Sequence, residues 1–137
     1  MLNSLLKSTQ VSVLEKALSA ASLRHKVISN NIANVNTPKF KKSEVSFEDQ
    51  LELAMTTEKT PIARTHARHL PIKSTGISVE PTVNTINTTS FRSDGNNVDI
   101  DSEMAGLAKN SIYYDAVAQQ ISKYFANIKS AISGGRS

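Results

Sequence analysis

The stretch IDSEMAGLAKNSIYYDAVAQQISKYFANIKSAI, Ile100 to Ile132, decides how this chain folds. Ile100, Met104, Leu107, Ser111, Tyr114, Ala118, Ile121, Phe125, Ile128 and Ile132 follow one another in alternating steps of four and three. Only Ser111 interrupts the apolar series. That spacing is a heptad seam, the pattern of a helix that packs lengthwise against another. Asp99 or Asp101 can cap its start. Glu103 sits in the first turn, where unpaired N–H groups favour negative charge, and Gly134-Gly135 closes the segment.

Working outward, the partner of this helix is found near the N-terminus. Val11, Leu14, Leu18, Ala21, Ile28, Ile32 and Val35 repeat the same steps if His25 fills one slot as a hydrogen-bonded interface histidine. A helix of about 25 residues there is roughly 38 Å long. Glu15, Lys16, Arg24 and Lys26 lie off its stripe. The expected fold is mainly α: two long terminal helices, within 1–35 and 99–137, paired as an antiparallel coiled coil. Residues 36–98 form a mid-chain insertion of loops, a short helix and short extended or β segments.

The insertion holds all four prolines and is dense in Thr, Asn and Ser. Phe47, Leu51 and Met55 at i, i+4 and i+8 predict its short helix. Ile77 and Val79, then Val83 and Ile86, predict extended segments bounded by Gly76 and Pro81. A pair of helices buries one seam and leaves Val13, Val27, Ile112, Val117 and Tyr124 facing outward. Either the middle region or neighbouring subunits must cover them.

Composition narrows the function classes. Among 137 residues, 16 are basic and 12 acidic, giving a net charge of +4 that is scattered along the chain. With four Phe, three Tyr and no Trp, few aromatics are interleaved with the basic residues, as nucleic-acid binding on stacked bases requires. No cysteine is present, which excludes disulfides, thiolate metal sites and cysteine nucleophiles. His66 and His69 have metal-ligand spacing, but no carboxylate lies between Lys59 and Val79 to complete a site. Lys59, Arg64, Arg68 and Lys73 make that stretch basic, suited to a solvated loop or to an acidic neighbour. No nucleophile elbow, glycine-rich phosphate loop or paired-carboxylate arrangement occurs, so no enzyme activity and no cofactor are expected. The first residues, MLNSLLKSTQ, lack the features of a secretory signal peptide, and no run reaches membrane-spanning length.

The N-terminal helix runs into NNIANVNTPKF, Asn30 to Phe40, with four asparagines in seven residues. Asparagine is a poor helix former, but its amide can satisfy the carbonyls left free in a last helical turn. Thr37-Pro38 ends the helix, because proline disfavours helical backbone in the residue before it. Phe40 returns as an apolar anchor.

These residues resemble the signature of the bacterial flagellar rod, hook and hook-filament junction proteins, of the form N-N-I-A-N-x-x-T-P-G-[FY]-K. Asn30, Asn31, Ile32, Ala33, Asn34, Thr37, Pro38, Phe40 and Lys41 match it. Lys39 stands where many members carry glycine, which argues against a left-handed backbone there. DGNNVDIDSEMAGLAKNSIYYDA, residues 94–116, is similar to the short subunits of the proximal rod, as is THARHLP, residues 65–71. The resemblance implies a structural subunit of the basal-body rod, exported unfolded through the flagellar type III apparatus. It implies assembly into a hollow drive shaft through Leu14, Leu18, Ala21, Ile28, Ile32, Met104, Leu107, Tyr114, Ala118, Ile121, Phe125 and Ile128. The implied partners are further copies of the chain, neighbouring rod proteins such as FlgC, and the rod adaptor FliE. The related subunit FlgC itself, or a basic coiled-coil adaptor binding nucleic acid or a cytoplasmic partner, are the alternative readings.

Overall fold

The computed structural model describes residues 9–58 and 79–134. Helix α1 spans Thr9–Ala33 and helix α3 spans Ile100–Ile132, 25 and 33 residues. Between them lie strand β1 (Ser43–Ser46), helix α2 (Glu48–Glu58) and strand β2 (Thr82–Thr85). The strands pair antiparallel in register, with Ser43 opposite Thr85 and Ser46 opposite Thr82.

The long helices run antiparallel, as their contacts require: Asn31 meets Glu103 at one end, and Ala21 meets Asn110 further along. Val13 and Leu14 face Tyr124 at the other end. Asp99 is the N-cap of α3, its carboxylate accepting from the Asp101 N–H at 3.1 Å. Gly134, at φ 78°, follows the C-terminus of the helix in the left-handed conformation that glycine tolerates.

The middle of the chain covers part of the pair. Phe47, 1 % exposed, packs with Ala17, Ala20, Val79 and Val117, and Leu51 and Ala54 of α2 lie against this cluster. The short helix therefore starts after Phe47, which acts as its apolar lead-in, its carbonyl accepting from the Leu51 N–H at 2.9 Å. Arg24 fixes the start of α2 to α1 through both Glu48 carboxylate oxygens, at 2.7 and 2.6 Å. With Glu48 half in solvent, this pair contributes roughly 0.2–1 kcal/mol. Ile77 and the basic stretch with His66 and His69 lie outside the described residues.

One expectation is corrected. The seam within the subunit is not the sequence's strict apolar stripe but runs one residue earlier on α3 and in part on α1, where Ala21 and Ile28 keep their expected places. On α3 it passes through Glu103, Asn110 and Val117, all buried. Met104, Tyr114 and Phe125 are instead 52 %, 41 % and 44 % exposed, and Ile100 and Ile132 are exposed as well. Val117, expected outward, is core, whereas Ile112 does face outward. On α1, Ala17 and Asn31 are buried where Leu18 and Ile32 were expected, and those two are half-buried. His25, assigned a seam slot, is exposed, and lines a cavity with Asn110, Ser111 and Tyr114 of α3.

The reason is chemical. Ala17, Ala20 and Ala21 let the helices approach closely, and polar residues occupy seam positions because each finds a partner there. A strict seven-residue repeat also drifts about 20° per heptad around a straight helix. The α3 stripe skirts the contact rather than entering it: Leu107, Ala118, Ile121 and Ile128 are half-buried, and Ile100, Met104, Tyr114, Phe125 and Ile132 are exposed.

Candidate functional site

Two segments singled out in the sequence, residues 30–41 and 94–99, meet at the end of the helix pair. α1 ends with carbonyls that have no helical partner. Asn34 reinforces the last turn, its Nδ2 donating at 2.8 Å to the Asn30 carbonyl that also accepts the Asn34 N–H at 3.2 Å, while Thr37 Oγ1 donates to Asn34 Oδ1 at 3.2 Å. Asn96, fully buried, satisfies the next: its Nδ2 donates to the carbonyls of Asn34, Val35 and Thr37 at 3.1, 3.1 and 2.9 Å. Its Oδ1 accepts from the Val98 N–H at 2.7 Å. One side chain thus joins the exit of α1 to the approach to α3.

Asn97 does the same for the strands. Its Nδ2 donates to the Ile86 carbonyl at 2.8 Å, and its Oδ1 accepts from the Lys42 N–H at 2.7 Å. Lys41 Nζ donates to the carbonyls of Thr89 and Gly95 at 2.8 and 2.9 Å. Lys42 lies 2.8 Å from Glu44, and that hydrogen bond holds its ammonium above the ordinary lysine range, against the opposing effect of partial burial. Because the folded pKa is raised, this contribution is present below the unfolded value of 10.5 and is lost as pH rises through the folded one.

Asn31 is the third centre. It is 1 % exposed, donates to the Ser43 carbonyl at 2.8 Å and accepts from the Ser43 N–H at 3.0 Å. The same Nδ2 reaches Glu103 Oε2 at 3.1 Å, tying α1, β1 and α3 together. Asn30, Asn31 and Asn34 therefore do not form one polar face: Asn31 turns inward and Asn30 faces solvent. Of the remaining motif residues, Ala33, Thr37 and Pro38 are exposed and Ile32 and Phe40 half-buried.

Lys39 corrects a second expectation. Its φ is 61°, so the left-handed backbone is kept without glycine. The Lys39 N–H donates to the Asp94 carbonyl at 3.1 Å, and Gly95 packs on the Lys39 backbone, which fixes this geometry despite its cost. Left-handed backbone costs a residue with a Cβ about 1–2 kcal/mol, part of which glycine loses again in unfolded-chain entropy. Lys39→Gly is expected to raise stability by about 0.5–1 kcal/mol, read as a higher urea midpoint with an unchanged slope.

The assembly residues proposed from sequence divide accordingly. Ala21 and Ile28 are buried within the subunit, and Leu14, Leu18, Ile32, Leu107, Ala118, Ile121 and Ile128 are half-buried. Met104, Tyr114 and Phe125 form an exposed flank with Ile100, and Ile112 is exposed on another side of the helix. Sequence reasoning missed Asn96, Asn97, Glu103 and Asn110 as structural determinants. The doubled asparagine before V-D-I-D was their visible trace. Among the described residues no group of His, Cys, Asp and Glu is placed to hold a metal, and no helix is long and apolar enough to cross a membrane.

A helix pair clamped at one end by buried amides, with an apolar flank left uncovered, defines a structural building subunit. A profile of the family described as "Flagella basal body rod protein" matches residues 12–41. The chain is 37 % identical over 123 residues to the flagellar basal body rod protein FlgB of Bacillus subtilis (strain 168), covering 90 % of this chain and 92 % of that protein. It is 36 % identical over 127 residues to FlgB of Borrelia hermsii, covering 89 % and 94 %. FlgB of Aeromonas hydrophila is 30 % identical over 118 residues, covering 86 % and 88 %. The chain belongs to the FlgB family of flagellar basal body rod proteins.

Proposed function

We propose that the chain is a subunit of the proximal rod that self-assembles through its helix pair into the hollow drive shaft of the flagellum. The observation that carries this reading is the uncovered stripe of α3: Ile100, Met104, Tyr114 and Phe125 lie along one side of the helix and are all at least two-fifths exposed. Exposed apolar surface of this kind marks an interaction site. The buried seam, held by Asn31–Glu103 and Asn110–Ala21, specifies the subunit, and the apolar flank is left for neighbours.

The neighbours in this reading are further copies, the rod protein FlgC and the adaptor FliE, reached after export by the flagellar type III apparatus. The working location is the rod, across the periplasm and cell wall. Residues 36–98 act as an insertion on a discontinuous helical domain, 1–35 and 99–137.

Met104→Lys tests the reading. At 52 % exposure, Met104 contributes little to the subunit's own core, so stability is expected to change by less than about 1 kcal/mol. A charge brought into a subunit interface is costly, and basal bodies are expected to be missing although the protein is exported. Normal basal bodies and full swimming in that variant would remove the α3 flank from the assembly surface.

A further inference from the structure

The two apolar repeats of this chain are each broken once, by His25 on α1 and by Ser111 on α3. The fold brings both breaks to one cavity of about 330 Å³, whose lining is completed by Ser22, Asn110, Tyr114 and Asp115. All six residues carry a polar group. Tyr114 belongs also to the exposed α3 stripe, at 41 % exposure, so a neighbour that covers the stripe meets the mouth of the cavity.

The cavity offers acceptors and lacks donors. Asn110 is 4 % exposed and commits its Nδ2 to the Ala21 carbonyl at 2.9 Å. Its Oδ1 is the one buried side-chain oxygen or nitrogen among the described residues with no hydrogen-bond partner. Buried polar atoms are rarely left in that state, and one that is marks a missing partner. Ser111 Oγ commits its proton to the Leu107 carbonyl at 3.0 Å, which leaves only lone pairs to offer. The Asp115 carboxylate also only accepts, and it has no ion-pair partner among the described residues.

The surrounding charges do not meet this need. Arg24 is held by Glu48. Lys26 is exposed beyond His25 on the outer side of α1, and Lys109 lies about 100° around α3 from Asn110, away from Ser111. Glu15, two turns before Ser22 on the same side of α1, adds negative charge. Lone pairs, an unpaired carboxylate and a tyrosine ring are matched by a side chain that only donates, the guanidinium of arginine or the ammonium of lysine. A single polar position in an otherwise apolar helix seam fixes register, because every other register buries it without its hydrogen bond.

We propose that the neighbouring rod subunit covering the α3 stripe places an arginine or lysine side chain in this cavity, toward Asn110 Oδ1 and Asp115, and that this contact sets the register in which it packs. The proposal rests on the rod reading and adds the chemistry by which one neighbour and one register are chosen.

Ser22→Cys on the α1 rim is the reporter, in a chain with no other cysteine. In the free subunit at low salt, the thiol is expected to favour a cationic methanethiosulfonate over an anionic one by at least about threefold, relative to their rates with a free thiol. Asp115→Asn is expected to abolish that preference. In intact basal bodies the same thiol is expected to react at least about tenfold more slowly. Asp115→Arg is expected to lower rod assembly by about tenfold or more with an unchanged urea midpoint for the free subunit, and Asp115→Glu to retain assembly. Benzoylphenylalanine at His25, irradiated in basal bodies, is expected to give adducts beside a lysine or arginine of another subunit. Adducts confined to the same molecule or to surfaces without such a residue would overturn the proposal, as would an anionic preference or normal assembly of Asp115→Arg. Protection of a Met104→Cys variant in the same particles separates the two ideas. Protection at 104 with a reactive thiol at 22 removes the cavity contact and leaves the rod reading standing. Full reactivity at both removes both.

Discussion

Asn31→Ala is expected to lower the stability of the free subunit by about 3–5 kcal/mol. The side chain is 1 % exposed and serves three partners at once: the Ser43 N–H, the Ser43 carbonyl and Glu103 Oε2. Alanine removes all three bonds. The dominant loss is at Glu103, a carboxylate only 7 % exposed that is left without its amide donor. An unpaired buried charge is far more costly than an unmade neutral hydrogen bond. Its place in the first turn of α3, where backbone N–H groups favour negative charge, recovers only part of that cost. Urea unfolding measures the effect. Asn30→Ala, one residue earlier and solvent-facing, is the control and is expected to change stability by less than about 0.5 kcal/mol. Adding Glu103→Gln to Asn31→Ala is expected to recover part of the loss, because the stranded group is then neutral. Equal, small effects at 30 and 31 would mean that the three-way tie contributes nothing.

Asn96→Ala is expected to cost about 1–3 kcal/mol, through lost neutral hydrogen bonds rather than charge. The Asn96 amide is shared by the carbonyls of Asn34, Val35 and Thr37, and its oxygen holds the Val98 N–H. A methyl group satisfies none of them: the Asn34, Val35 and Thr37 carbonyls keep the Thr37 N–H, Arg92 Nη1 and the Phe40 N–H, whereas the Val98 N–H is stranded, and a buried group left unpartnered costs about 1–3 kcal/mol. Hydrogen exchange distinguishes this from general destabilisation. The Val98 amide and the turn amides at Phe91, Arg92 and Gly95 are expected to lose protection first, with the Ala17–Val117 level of the helix pair opening later. Uniform loss of protection would show that the clamp and the helix pair open as one unit.

The two helices, their antiparallel pairing and the Asp99 cap were legible in the sequence because heptad spacing and capping chemistry are local signals. The side of α3 that faces α1 was not. Apolar periodicity selects Met104, Tyr114 and Phe125, whereas the pairing surface is chosen by closeness and hydrogen bonding. Ala17, Ala20 and Ala21 read as neutral filler in a hydropathy pattern, and Asn31, Glu103 and Asn110 read as solvent-facing. Each of the three polar residues is buried with a hydrogen-bond partner some 70 to 90 positions away in the chain, Asn31 donating to Glu103 and Asn110 to Ala21. Asn110 donates to the Ala21 carbonyl at 2.9 Å, a contact that exists only once the helices have met. β1 was missed for a related reason. Ser43–Ser46 is four residues long with a single apolar member, and it is held by Asn31 and by pairing to β2 rather than by its own pattern. The asparagine motif was recognised as a helix-to-loop junction from its composition. Its counterpart at Asn96 and Asn97 lies about 60 residues on, and only the fold brings the two together.

The central claim is that a polar, amide-held seam makes the subunit while the regular apolar stripe of α3 makes the rod. It accounts for the strictest heptad in the chain lying largely outside the intrachain contact. Because the chain has no cysteine, a single Met104→Cys substitution reports on that stripe without background. The most direct measurement is its rate of reaction with a maleimide in the free subunit and in intact basal bodies. The thiol is expected to react readily in the free subunit and at least about tenfold more slowly in basal bodies, where a neighbour covers the flank. Equal rates in the two states would contradict the claim and return the stripe to ordinary solvated surface.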